Sequence, residues 1–209
     1  MKNQILLLLL IACFFNCTTQ NSSPDVTSNE NLHKVLIDIS HGGKDPGAVN
    51  QSVKEKDLVF QYSMILKEEL IKANIDVLLS RSDDEYVTLA QRIDTANDEK
   101  VDLVLSLHFN TSAEPETNGF ESYYKSDSEK SLLIDSLIHT KISSYNLVSD
   151  NGSNIGNYSI LKGSTAPAVL LELGYLSNHA ELELLKRYET KNEYAKMLSE
   201  AIVEYFKAI

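Results

Sequence analysis

The feature that most constrains this chain is an alternation. From Lys34 onward, short apolar runs of strand length take turns with longer segments whose apolar residues recur at helical spacing. Val35-Leu36-Ile37-Asp38-Ile39 is a run of the kind buried on both faces of a sheet. Lys54 to Ala73 instead places Leu58, Tyr62, Ile65, Leu66 and Leu70 along one side of a helix. Ile75 to Leu79, Val101 to Leu107, Gly119 to Tyr124 and Ala168 to Leu171 read as further strands, and Tyr158 to Leu161 as a weaker one. Helices are expected at Leu89 to Asn97, Glu129 to Ser144, His179 to Tyr188 and Lys191 to Ala208. Strands and helices in turn predict an α/β fold, with one mostly parallel twisted sheet of about six strands and helices on both faces. A single domain over 34–209 accounts for all of it.

Ahead of that domain the pattern stops. Ile5 to Phe15 is apolar apart from Cys13 and follows the single charge of Lys2. It is shorter than the ~20 residues of a membrane-spanning helix, but it suits the core of a signal peptide. The only two cysteines, Cys13 and Cys17, close this run. Leu10-Ile11-Ala12-Cys13 resembles a bacterial lipoprotein signal; Phe14-Phe15-Asn16-Cys17 is a looser match that stands directly before the polar stretch. Both remain open, as does a plain secretory signal. Residues 1–17 are thus expected to be a lipoprotein-type signal peptide, with cleavage before Cys13 or Cys17, and the polar 18–33 a flexible tether. The corresponding expectation is an exported protein of the periplasm or cell envelope, held to a membrane by a lipid anchor.

Acidic residues outnumber basic ones by 30 to 19, so the basic footprint of a nucleic-acid binder is missing. Without a cysteine past Cys17, the folded part has no disulfide, no thiolate metal site and no cysteine nucleophile. Any metal must be held by His, Asp and Glu.

In sheets of this class, ligands bind beyond the carboxyl ends of the strands, and there the polar residues collect. The first strand leads into Ser40-His41-Gly42-Gly43, another ends Ser106-Leu107-His108-Phe109-Asn110, and the last ends Leu171-Glu172-Leu173-Gly174. Glu55, in the first turn of the first long helix, is led to the same edge by the loop carrying His41. Two imidazoles and one carboxylate are a zinc ligand set that leaves a fourth position for water, and a further carboxylate nearby serves as general base. Glu172 suits that role because apolar neighbours on both sides desolvate it and raise its pKa. Singly, each residue has a structural reading; Glu55, for example, suits a helix N-terminus by its charge alone. It is their convergence that points to a metal site. His33, in the tether, His139, in an amphipathic helix, and His179, at a helix start, stand outside it.

The segments Val35 to Ala48 (with Ser40-His41-Gly42-Gly43-Lys44-Asp45-Pro46-Gly47), Glu55-Lys56-Asp57-Leu58, Ser80-Arg81 with Asp84, Leu89 with Arg92 and Ala96-Asn97, Ser106 to Asn110, and Pro167 to Asn178 resemble the zinc-dependent N-acetylmuramoyl-L-alanine amidases of the amidase_3 type. The likeness runs in order through residues 34 to 207. It implies one Zn²⁺ on His41, Glu55 and His108, with Glu172 as the catalytic base. The implied reaction is hydrolysis of the amide between N-acetylmuramic acid and L-alanine in peptidoglycan, for wall remodelling or daughter-cell separation. Alternatives are a zinc peptidase acting on cross-link peptides, or a wall-binding domain without activity. Asn110 is a candidate for binding substrate or bracing the ligands, and Arg81 and Arg92 for bracing the loops; any activator protein is unknown. The chain departs from the pattern at Ile39-Ser40, where the family usually has Pro-Gly.

Overall fold

The computed structural model describes residues 32–209. The signal segment 1–17, both cysteines and the tether as far as Asn31 lie outside the described residues. Fourteen elements follow in chain order: β1 (Lys34–Ile39), β2 (Val49–Asn50), β3 (Val53–Lys54), α1 (Glu55–Lys72), β4 (Asp76–Leu79), α2 (Leu89–Asp98), β5 (Leu103–Asn110), β6 (Phe120–Lys125), α3 (Glu129–Tyr145), β7 (Asp150–Gly156), α4 (Ser159–Gly163), β8 (Ala168–Tyr175), α5 (His179–Leu185) and α6 (Tyr188–Ala208). None of the described helices is long and apolar enough to cross a membrane.

Six strands form one sheet in the order β4-β1-β5-β8-β6-β7. The four from β4 to β8 are mutually parallel, as the alternation predicts. β6 runs antiparallel to β8, and β7 runs parallel to β6. The reversal follows from connection length. A parallel return needs a crossover of about a dozen residues or more, but β5 reaches β6 through a short loop without a helix, so β6 starts at the sheet edge where β5 ends.

Along the central strands, alternate residues enter two cores. Val35, Ile37, Ile39, Leu103, Leu105, Leu107, Val169 and Leu171 meet α1, α3 and α6 in the larger core. Leu36, Val104, Ala168 and Leu170 meet the thinner layer of α2 and α4. Glu172 continues the series of Ala168 and Leu170, so alternation places it on the thinner side.

Two sequence expectations need correction. Tyr158 to Leu161, expected as a strand, is instead the N-cap and first turn of α4, which buries Ile160 and Leu161 against the sheet. Four residues are too few to separate the two periods. β7, with the polar sequence DNGSNIG, was not expected as a strand at all; it is a mostly exposed edge, paired through its backbone to β6. His33 packs against the domain. The ring of His33 stacks on Phe206 at 4.1 Å, and its carbonyl accepts from the Asp76 N–H at 2.9 Å.

Candidate functional site

His41 follows β1 with φ 59°, a left-handed backbone that turns the chain immediately after the strand. Gly42 and Asp45 exchange backbone hydrogen bonds of 2.9 and 3.1 Å, closing a tight loop. Within it the Asp45 carboxylate lies 2.9 Å from His41 Nδ1. The loop then passes over Glu55, and there only glycine fits. A Cβ on Gly47 would lie 2.5 Å from Glu55 Oε2 and 2.6 Å from His41 Cδ2, at a φ of 65°. Glu55 opens α1 and is held by two backbone donors, Ala48 N–H on Oε2 at 2.9 Å and Phe109 N–H on Oε1 at 3.1 Å.

His41 Nε2 approaches Glu55 Oε2 at 3.0 Å, and His108 Nδ1 approaches Oε1 at 3.2 Å. One donor atom from each of the three residues lies within 4.8 Å of the others, the geometry of a metal-binding group. Burial works against charge on both Glu55 and His41. At Glu55 the two imidazoles overrule it and hold the carboxyl far below its usual range; at His41 the carboxylates of Glu55 and Asp45 raise the imidazole pKa to about 8.

Glu172 stands beside His108 in the β5–β8 register and opposite Glu121 in the β6–β8 register. Its Oε2 is buried without a hydrogen-bond partner among the described residues. Burial, with Glu55 and Glu121 adding like charge, lifts its pKa to about 7 against the pull of His108 and His41. The structure therefore brings together all four residues expected at this edge. His41 and His108 line a cleft of about 320 Å³ together with Asp38, Tyr86, Val87 and Leu89. A larger groove of about 660 Å³ between α1, α3 and α6 is rimmed by Lys and Glu side chains and holds no histidine.

The surrounding residues divide into braces and one unforeseen carboxylate. Arg92, on α2, donates to the His41 carbonyl at 2.7 Å and pairs with buried Asp38 at 2.7 Å. Arg81 donates to the Lys56 carbonyl at 2.7 Å and to that of Asp83 at 2.9 Å. Both arginines thus hold loops, as their positions suggested. Asn110 touches neither histidine nor Glu55 through its amide, which donates to Glu121 Oε1 at 2.8 Å. Glu121 and Asp45 were not singled out from the sequence. The signal for Glu121 was the Glu121/Tyr123 alternation within FESYYK, which puts two polar groups on one face. Ser40, at the departure from the family pattern, is buried, and its hydroxyl has no partner among the described residues. The ligand loop closes nonetheless.

The other histidines lie apart. His179 starts α5. His139 Nε2 lies 2.7 Å from Ser122 Oγ and its Nδ1 2.7 Å from Asp150. That series resembles a hydrolase triad in composition, but Ser122 is completely buried and donates to Asp135, so no substrate reaches it.

Residues 35–204 match the family model described as N-acetylmuramoyl-L-alanine amidase. The chain is 34% identical over 73% of its length to the "Sporulation-specific N-acetylmuramoyl-L-alanine amidase" of Bacillus subtilis (strain 168) and spans 60% of that relative. It is 35% identical over 83% of its length to the "Probable cell wall amidase LytH" of Staphylococcus aureus, of which it spans 57%. Among solved structures, the catalytic domain of CwlV, an N-acetylmuramoyl-L-alanine amidase from Bacillus (Paenibacillus) polymyxa var. colistinus, superimposes with a TM-score of 0.79 at 32% identity. The match covers 85% of this chain and 100% of that one.

Proposed function

The chain belongs to the N-acetylmuramoyl-L-alanine amidase family, and on that premise we propose that it hydrolyses the amide joining N-acetylmuramic acid to L-alanine in peptidoglycan, using one zinc ion. The observation that carries this reading is the meeting of His41, Glu55 and His108 within 4.8 Å, next to a Glu172 whose buried Oε2 has no partner among the described residues. The donors suit zinc, since two imidazole nitrogens and a carboxylate form a known ligand set with one position left over. When bound, the ion would supply an acidified water and a polarised carbonyl.

The rest of the chemistry belongs to the side chains. Asp45 fixes the Nδ1 proton of His41, which leaves the Nε2 lone pair for the ion. The N–H groups of Ala48 and Phe109 aim the two oxygens of Glu55. Glu172 takes a proton from the attacking water as the C–O bond forms. It returns that proton to the L-alanine nitrogen as the C–N bond breaks. A pKa near 7 lets one carboxylate serve as base and then as acid.

The test is mass analysis of fragments released from purified peptidoglycan, with and without a chelator. Peptides with a free L-alanine amine, lost on chelation and restored by Zn²⁺, are expected. Cuts inside the cross-link peptide would make the protein a peptidase instead. Metal-loaded protein that binds wall without releasing fragments would make it a wall-binding domain.

We further propose that residues 1–17 export the protein and that a lipid on Cys13 or Cys17 holds it to a membrane facing the wall. Support comes from the apolar run ending in both cysteines and from the polar stretch after it. A tether of about 15 residues reaches ~20 Å as a coil, which would confine the enzyme to nearby wall. Fractionation of cells expressing wild type, Cys13→Ala, Cys17→Ala and the double variant checks this; a fully soluble wild type, or a double variant still in the membrane, overturns it.

A further inference from the structure

Three donors from three places converge on the Glu121 carboxylate. Asn110 Nδ2, at the end of β5, donates to Oε1 at 2.8 Å. The Tyr175 hydroxyl, at the end of β8, donates to the same oxygen, and the Tyr123 hydroxyl, on β6 itself, donates to Oε2 at 2.9 Å. Three donors on two oxygens hold the carboxylate in one place and one orientation. They also lace β6 to the two strands that carry His108 and Glu172. The pairing of β5 with β8 shifts register between His108 and Asn110, and the Asn110 amide is fastened at that irregularity.

Directly across the antiparallel pair from Glu121 stands Glu172, on the same face of the sheet. Side chains opposite each other in such a pair have Cβ atoms about 5 Å apart. The two carboxylates differ in how they are held: Glu121 has three donors, whereas one oxygen of Glu172 has no partner among the described residues. Like charges directly opposite each other in such a pair repel, which disfavours the Glu172 side-chain positions nearest Glu121. Across the sheet from Glu121, on the other side of Glu172, are His108 and the cluster it belongs to.

We propose that Glu121 is a positioning residue: clamped by Asn110, Tyr123 and Tyr175, it keeps the Glu172 carboxylate turned toward the His41–Glu55–His108 cluster. The proposal rests on the reading of Glu172 as the base. Glu121 touches neither the ion's ligands nor the reacting atoms; it acts through Glu172 alone. Glutamine in its place removes the repelling charge and opposes an amide N–H₂ to donors. Aspartate keeps the charge but withdraws it by one methylene.

The experiment compares the zinc-loaded wild type with Glu121→Gln, Glu121→Asp, Glu172→Gln and the double variant Glu121→Gln/Glu172→Gln. A soluble muropeptide is the substrate, and zinc affinity and melting temperature are measured on every protein. Glu121→Gln should lower kcat ~10-fold or more, leave KM within about 2-fold and leave zinc affinity within about 3-fold. Glu121→Asp should fall between it and wild type. Because Glu121 works through Glu172, the double variant should be no slower than Glu172→Gln alone. Full kcat in Glu121→Gln, a loss confined to KM, a matching loss of zinc, or multiplied losses in the double variant would each overturn the proposal. Undiminished activity in Glu172→Gln would instead overturn the functional reading on which it stands.

Discussion

Two clusters in this protein set histidines against carboxylates, and they do opposite things. In one, His41 and His108 each direct a ring nitrogen at Glu55, and the donor atoms converge on one small space beside a cleft. In the other, His139 sends Nε2 to Ser122 and Nδ1 to Asp150, so its partners lie on opposite sides of the ring. Nitrogens from two rings aimed at one carboxylate can share an ion, each ring's other nitrogen being free to hold a further partner, as His41 Nδ1 holds Asp45; the single ring of His139 bridges two elements instead. The second cluster ties α3 to β6 and β7, the reversed edge of the sheet. Residue type is nearly the same in both places; a second imidazole aimed at the same carboxylate separates a chemical site from a strut.

The sharpest way to break this contrast is to remove one histidine from each cluster. His41→Ala should abolish zinc binding near neutral pH and, with it, measurable hydrolysis. His139→Ala should leave zinc content at one ion per chain. Metal analysis of the two purified variants decides the matter, and equal zinc loss in both would erase the distinction. Next in size is Glu172→Gln, which keeps shape and burial but cannot take a proton. Turnover should fall at least ~100-fold while zinc stays bound; loss of the ion would make Glu172 a ligand.

A smaller effect sharpens the comparison through pH. The His41 pKa is raised from 6.5 to about 8 in the metal-free protein, so the ion must displace its proton below that value. Zinc affinity should therefore climb about tenfold per pH unit as pH approaches 8 and then flatten. The same shift favours the metal-free fold. Its stabilising contribution is complete below the ordinary imidazole value of 6.5 and fades as pH rises through about 8. Competition with a chelating dye between pH 6 and 9 measures the first effect, and a flat profile would remove His41 from the ligand set. The smallest expected change belongs to the strut. His139→Ala leaves Ser122 and Asp150 without their ring partner, at a cost of about 1–3 kcal/mol in unfolding free energy. Denaturant melts of the metal-free proteins report it directly.

Much of the candidate site was legible before folding because strand ends carry the chemistry. The apolar runs of β1, β5 and β8 announce themselves by composition, and His41, His108 and Glu172 follow or end those runs. Glu55 was placed by the loop that leads back to the same edge. The residues that orient these four were harder to see. Asp45 looks like an ordinary turn residue until the loop closes and brings it against His41. Asn110 stands two residues after His108, but its partner, Glu121, lies eleven residues away on a strand that runs the other way.

What the sequence determined by itself is the set of buried faces, since apolar periodicity records which side of each element leaves water. That was enough for the domain, the parallel core of the sheet and the edge where polar groups gather. The tertiary structure alone decided the reversed pair β6–β7, the helical form of Ser159–Gly163 and the placing of Glu121 opposite Glu172. β7 is polar and exposed, and its place depends on backbone hydrogen bonds that no side-chain pattern encodes. The facing of two carboxylates depends on register, and register exists only once two distant strands have paired.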